Sequence, residues 1–131
     1  VARRARPFDL RFAETDGAIV ASCSHDGYQR LPGRPVHRRE WRLASNSLCV
    51  TDRVSGIFTH AIARYYLHPS VEILSEQALR LPNGRHVRWA VGGGPPKIVN
   101  SLWHPEFGAS IANQCIEIQF EGPEVRFELH W

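Results

Sequence analysis

The stretch Val125-Arg-Phe-Glu-Leu-His-Trp131 decides the fold. Val125, Phe127, Leu129 and Trp131 alternate with Arg126, Glu128 and His130. A period of two sends the apolar set to one face of a strand and the polar set to the other, the mark of an antiparallel sheet with one dry face. The same period recurs upstream. Ile116, Ile118 and Phe120 alternate with Glu117, Gln119 and Glu121. Val87, Trp89 and Val91 alternate with His86, Arg88 and Ala90, and Phe8, Leu10 and Phe12 with Asp9, Arg11 and Ala13.

Turn residues fall between these runs. Asp16-Gly17 separates the first strand from Ala18–His25. Asn83-Gly84, a strong hairpin signal, separates Gln77–Leu81 from His86–Val91. Ala44–Asn46 divides Val36–Leu43 from Ser47–Val54, and Gly122-Pro123 divides the last two strands. His60–Leu67, Val71–Leu74 and Lys97–Leu102 are further strands. Gly92-Gly-Gly-Pro-Pro96 holds no regular structure and reads as a loop or a crossover between sheets. Val71, Leu74, Ala78 and Leu81 also fit a helical stripe with Ser70 as N-cap, but the Asn83-Gly84 turn needs a strand entering it. The expectation is an all-β chain, an antiparallel β-sandwich of roughly ten short strands with little or no helix.

With 131 residues, the chain suits one domain spanning 1–131. No run of about 18 apolar residues exists, so no membrane span is expected. The basic start Val1-Ala-Arg-Arg-Ala-Arg6 leads into no apolar segment of a secretory signal. A first residue other than Met reads as a processed protein or a fragment of a longer one. Of 16 basic residues only Lys97 is lysine. Residues 1–64 carry a balance of +5 and residues 65–131 one of −2, within a total of +3. Guanidinium forks match carboxylate, sulfate and phosphate, so the front half suits an acidic partner; solvated surface arginine is the plainer explanation. Nucleic acid is not the expected partner, since no recognition motif is present. Cys23, Cys49 and Cys115 are too few and too far apart for a disulfide scaffold or a zinc site; one disulfide plus a free thiol stays open, beside three buried thiols.

Seven histidines lie scattered, with no pair at the close spacing that places two ligands on one strand face. No metal site is expected from them. Ser24-His-Asp-Gly-Tyr-Gln-Arg30 gathers His25, Tyr28 and Arg30 at a strand end. Tyr and His are the usual pair for removing a proton alpha to a carboxylate, and Arg can neutralise that carboxylate. The structural alternative is that Asp26-Gly27 makes the turn, His25 caps the strand and Tyr28 packs. In the next strand His37, Arg39 and Trp41 share one face, and Arg38, Glu40 and Arg42 the other. An Arg–aromatic row can hold a sugar acid by stacking and ion pairing, whereas an ion-paired sheet face asks for less. His25, Tyr28, Arg30, His37, Arg39 and Trp41 are therefore the candidate substrate-binding residues. No nucleophile elbow or Ser/His/Asp arrangement stands out.

Five segments in order carry a family resemblance: Ser24-His-Asp-Gly-Tyr-Gln-Arg-Leu31, Val36-His-Arg-Arg39, Leu48-x-Val50-x-Asp52-Arg-Val-x-Gly56, Tyr66-Leu-His-Pro69 and Trp103-His-Pro-Glu-Phe-Gly108. Together they cover most of the chain, from about Phe8 to Trp131, and it resembles the C-terminal part of heparinase II/III-like proteins. The resemblance implies a longer polypeptide in which an α-helical toroid precedes the sandwich and acidic polysaccharide binds between them. It implies β-elimination on a uronic acid, with the carboxylate neutralised, the alpha proton removed by Tyr or His, and the glycosidic oxygen leaving. The family's catalytic residues and its metal-binding His/Asp set lie ahead of this chain, so no catalytic or metal residue carries over. Any metal ion belongs to the full-length protein, and no cofactor is expected in this fragment. The expected role is an accessory domain, inactive alone, in a periplasmic or extracellular lyase or a bacterial exopolysaccharide protein. Two other classes stand beside it: a carbohydrate-binding module for acidic glycans, and a purely structural or assembly domain.

Overall fold

The computed structural model describes residues 4–131; Val1–Arg3, with the non-Met start, lie outside the described residues. The strands are β1 (Pro7–Thr15), β2 (Ala18–His25), β3 (Val36–Ala44), β4 (Ser47–Ser55), β5 (Ala61–Tyr66), β6 (Glu72–Ser75), β7 (Ala78–Arg80), β8 (His86–Gly92), β9 (Pro96–Trp103), β10 (Ile111–Phe120) and β11 (Glu124–His130). There is no helix among the described residues. The strands form two antiparallel sheets, one in the order β1-β2-β3-β4-β11-β8-β7-β6 and one in the order β5-β10-β9. The all-β sandwich read from the period of two is the observed class, and it is lopsided, with eight strands facing three.

The alternating strands meet as their pattern requires. Ile116, Ile118 and Phe120 of β10 and Ala63 of β5 pack on Val54, Leu79, Val87, Trp89, Val125 and Phe127 of the larger sheet. Each of the valine, leucine, isoleucine and phenylalanine side chains contributes about 1.5–3 kcal/mol on full burial. Tyr65 stacks on Phe127 with centroids 4.4 Å apart. The expected crossover is confined to residues 93–95, since Gly92 closes β8 in one sheet and Pro96 opens β9 in the other. Glycine is required there at Gly94, where a Cβ would sit 2.1 Å from the Gln119 carbonyl oxygen.

Asp16-Gly17 forms a two-residue hairpin between Thr15 and Ala18, with φ positive at both residues (50° and 69°), the geometry that follows strand twist. The helical stripe at residues 71–81 is not used; β6 and β7 pair there, and β7 enters the Asn83-Gly84 hairpin. That hairpin spans residues 81–85, closed by bonds from Gly84 N to Leu81 O and from Leu81 N to Arg85 O.

Two expectations about the dry face fail. Phe8, Leu10 and Phe12 do not form one buried row. Asp9 and Leu10 together oppose Cys23 alone, so Phe8 pairs with Ser24 and Phe12 with Ala21, on opposite faces. This bulge has Asp9 at φ 53°, and all three apolar side chains are exposed on the edge strand. Trp131 lies beyond β11 and is also exposed, because the ladder ends at His130.

Candidate functional site

Register brings the candidate residues together. His25 of β2 pairs with His37 of β3, Cys23 with Arg39, and Ala21 with Trp41. Across the next ladder Arg39 pairs with Asp52 of β4, and Trp41 with Val50. These residues share the inner face of the larger sheet, the face that the smaller sheet covers only in part. Asp52 is 2% exposed and anchors the cluster. Arg39 grips it side-on, Nε to Oδ1 at 2.7 Å and the second terminal nitrogen to Oδ2 at 2.9 Å. His37 Nε2 lies 2.6 Å from Oδ1, and the Tyr65 hydroxyl of β5 donates to Oδ2 at 2.7 Å. His37 Nδ1 lies 3.0 Å from His25 Nε2, and the Gly27 amide donates to His25 Nδ1 at 3.2 Å.

One proton assignment satisfies every atom. Burial alone would raise the Asp52 carboxyl, but the hydrogen bonds from His37, Arg39 and Tyr65 outweigh it and hold the group far below the usual carboxylate range. Asp52 is thus a carboxylate, and His37 Nε2 donates its hydrogen to it. His37 Nδ1 then accepts from His25 Nε2, which leaves His25 Nδ1 to accept from the Gly27 amide. Burial first, then the neighbouring His37 ring, push the His25 imidazole below its ordinary value. Burial and the Asp52 charge push the Tyr65 phenol far above its own, so this hydroxyl keeps its proton. Both carboxylate oxygens carry two donors each, and all four ring nitrogens are engaged. A metal ion does not fit this donor set, because its lone pairs are already spent within the protein.

The cluster opens on a cleft of about 510 Å³ between β5 and the β3–β4 pair, lined among others by Tyr28, His37, Arg39, Asp52, His60 and Arg64. Of the six candidates, Tyr28, His37 and Arg39 line this cleft, and His25 joins them from outside the lining through His37 and through Tyr28, whose ring lies 5.2 Å from its own. Trp41 shares the face but lies further along β3, outside the cleft lining. Arg30 lies elsewhere. With Arg4, Arg6, Arg34, Asp26, Gly27 and Gln29 it lines a second hollow of about 600 Å³, where four arginines meet one carboxylate.

Asp52 and Tyr65 were absent from the candidate list. A signal for Asp52 exists, since Val50, Asp52 and Val54 alternate with Thr51 and Arg53 and so set an acid into an apolar row. Tyr65 follows Ala61 and Ala63 at the same period, but no pattern says that its hydroxyl meets Asp52. Nor does spacing reveal the His25–His37 contact, which is made by neighbouring strands. The opposite face of β3 is ion-paired: Arg38 meets Asp9 at 2.7 Å, and Arg53 reaches Glu40 at 3.8 Å and Glu124 at 2.7 Å. All three cysteines are free thiols, with only Cys115 fully buried.

A family model described as "Heparinase II/III-like, C-terminal" matches residues 1–131. No curated protein matches in sequence. Among the solved structures that share the fold are two of one protein. One, titled "Heparinase III-BT4657 gene product", aligns at TM-score 0.65 and 11% identity over 95% of this chain and 20% of its own. The other, the same product with methylated lysines, aligns at TM-score 0.61 and 12% identity over 88% of this chain and 19% of its own. The chain therefore spans about a fifth of the length of the heparinase III chains it resembles. Matched along its whole length by the family model, the chain belongs to the heparinase II/III-like C-terminal family.

Proposed function

We propose that this chain is the accessory C-terminal sandwich domain of a polysaccharide lyase that cleaves uronic-acid polysaccharide by β-elimination. The catalytic groups then reside in a preceding α-helical toroid of the same polypeptide, and any metal ion lies outside these residues. Export to the periplasm or cell surface belongs to the same reading. The observation that carries it is the saturation of the Asp52 cluster. Elimination needs a base with a free lone pair facing the proton alpha to the carboxylate. The Tyr65 proton is held by Asp52, and every nitrogen of His25 and His37 is committed. The cluster ties two sheets together and has no spare proton acceptor.

The test is activity of the purified 131-residue chain against uronic-acid polysaccharides, read as the absorbance of the unsaturated uronide product. The chain alone is expected to form none, and the longer polypeptide to form it. Product from the isolated chain overturns the reading.

A second reading, acidic-glycan contact, is favoured by the arginine hollow. Arg4, Arg6, Arg30 and Arg34 face one cavity against the single acid Asp26. Arg34 is held at φ 49°, an unfavourable conformation for a residue with a side chain. This reading places glycan contact on Arg30 and its neighbours, with the exposed Tyr28 near the rim.

A further inference from the structure

The loop over residues 27–35 gives a wall to both hollows. Gly27, Arg30 and Arg34 face the arginine hollow, and Tyr28 and Leu31 face the cleft. The loop is folded on itself: Gln29 N donates to Asp26 O at 2.9 Å, Leu31 N to Tyr28 O at 2.9 Å and Arg34 N to Leu31 O at 3.0 Å. Its far end is pinned, because the Ile57 amide donates to Gly33 O at 3.0 Å. Asp26, just before it, is tied to Arg6, whose amide donates to Asp26 Oδ1 at 2.6 Å and whose carbonyl accepts from the Asp26 amide at 3.3 Å. Between these anchors the near end rests on one imidazole. The Gly27 amide donates to His25 Nδ1, and the Tyr28 ring packs on the same ring. The fit is close, since a Cβ at Gly27 would lie 3.0 Å from His25 Nδ1 and 2.9 Å from the Ala5 Cβ.

The two imidazoles hold a countable set of protons. A neutral pair keeps one hydrogen on His37 Nε2, facing Asp52, and one between the rings. That leaves His25 Nδ1 as the one ring nitrogen that faces no hydrogen of the pair. A third proton has only that place to go, whichever ring then carries the charge, because the hydrogen between the rings can sit on either nitrogen. Nδ1 then changes from acceptor to donor. It confronts the Gly27 N–H across 3.2 Å, donor against donor, and the bond is lost. Charged and titratable groups reach the His25 ring from each neighbouring element: His37 and Arg39 from β3, Asp52 of β4 behind His37, and Asp26 and Tyr28 from the loop side. The incoming chain brings the uncharged Ala5 and Pro7, while Arg6 lines the arginine hollow. Burial and the His37 ring favour neutral His25, Asp26 favours the charged form, and Arg39 opposes it.

We propose that the His25–His37 pair is a pH-operated latch on the loop over residues 27–35. With two protons on the pair, His25 Nδ1 holds the Gly27 amide; a third proton releases it. Gly27 is then the hinge, because Asp26 stays tied to Arg6 and Gly33 to Ile57. Release lets Tyr28 leave the His25 ring and moves Arg30 and Arg34 relative to Arg4 and Arg6. One protonation thus changes the shape of both hollows. The inference goes beyond the proposed function, since it needs neither a lyase nor a glycan.

The test is an NMR titration of the 131-residue chain from about pH 8 to about pH 5, following backbone amides and imidazole rings. The amides of Gly27, Gln29, Leu31 and Arg34 are expected to shift with one midpoint, shared with the His25 ring and below 6.5. Across it the protection of the Gly27 amide, corrected for the pH dependence of intrinsic exchange, is expected to fall by at least about tenfold, with Val87 and Ile118 unchanged. His25→Gln keeps a donor and an acceptor but takes no third proton, so its loop amides are expected to stay still. If that variant does not fold, the titration of the parent chain decides alone. Gly27 protection that persists while His25 takes its proton overturns the proposal. So does a shift confined to Gly27 with Gln29 and Leu31 unmoved, or an unaltered loop shift in folded His25→Gln. A ring pair that takes no third proton before the core unfolds overturns it as well. No outcome depends on lyase activity or glycan binding, so this proposal and the proposed function fail separately.

Discussion

Asp52 and Tyr65 join the two sheets through one hydrogen bond, 2.7 Å from the phenol oxygen to the carboxylate. The contact ties β4 of the large sheet to β5 of the small one at the rim of the core, and the Arg39 guanidinium lies 5.4 Å from the centroid of the Tyr65 ring.

Removing one partner of a buried ion pair strands the other. Asp52→Asn leaves the Arg39 guanidinium half-buried without its counter-charge, and a loss of about 3–5 kcal/mol is expected. Urea denaturation of the folded chain measures it. A change below about 1 kcal/mol would show that solvent replaces the carboxylate.

Tyr65→Phe keeps the stack on Phe127 and deletes only the hydroxyl. A hydrogen bond to a charged group contributes about 1.5–3 kcal/mol, so the loss is expected in that range and below that of Asp52→Asn. The pair is coupled: once Asp52 is Asn, the second substitution costs less, and a double-mutant cycle reads the difference.

Acid weakens this fold in two steps. His25 has its folded pKa below the unfolded 6.5, so the unfolded chain binds more protons in that window. Stability from this group is complete above 6.5 and falls as pH drops through it towards the lower folded value. Asp52, depressed below 3.8, contributes stability that is present above 3.8 and lost as pH falls further. Urea midpoints at pH 8, 5.5 and 3 follow both steps. His25→Gln is expected to flatten the first and leave the second; an unchanged first step would exclude His25 as its source.

Gly33 and Gly56 let the Gly27–Pro35 loop lie on its neighbour. At Gly33, φ is 81° and a Cβ would sit 2.0 Å from the Ile57 carbonyl oxygen. Left-handed backbone costs about 1–2 kcal/mol for a residue with a Cβ, and the clash adds to it. Gly33→Ala is therefore expected to displace the loop that carries Tyr28 and Arg30. Crystallography or proteolytic nicking within residues 27–35 would show it, and an unmoved loop would contradict the packing described.

Arginine in the second hollow is expected to set retention on immobilised polyuronate or heparin. Arg30→Ala should elute at lower salt than the parent chain, and Arg30→Lys between the two, because lysine keeps charge and loses the fork. Arg80→Ala, on distant β7, removes the same charge. Equal shifts for Arg30→Ala and Arg80→Ala would reduce the effect to net charge.

The alternation in β8, β10 and β11 reported the class of the fold directly, because a strand's side chains face opposite ways whatever lies around it. Asp16-Gly17 likewise declared its turn, since few residues accept positive φ. Alternation cannot report coverage. Phe12 and Trp41 carry the same apolar signal as Phe127, yet only Phe127 lies beneath the small sheet, because burial depends on the partner that arrives from elsewhere in the chain. The bulge at Asp9 and Leu10 was equally silent, as one extra residue reverses a strand's faces without changing its composition. For the site, sequence placed His25, Tyr28 and Arg30 at one strand end and His37, Arg39 and Trp41 on one face of the next strand. The register of β2 on β3 then set two rings 3.0 Å apart, and the packing of β5 on β4 brought Tyr65 to Asp52. Local pattern determined which residues form strands and, outside the bulged β1, which way they face. Tertiary structure alone decided which polar atoms meet, because hydrogen bonds across strands and sheets join positions that no local spacing relates.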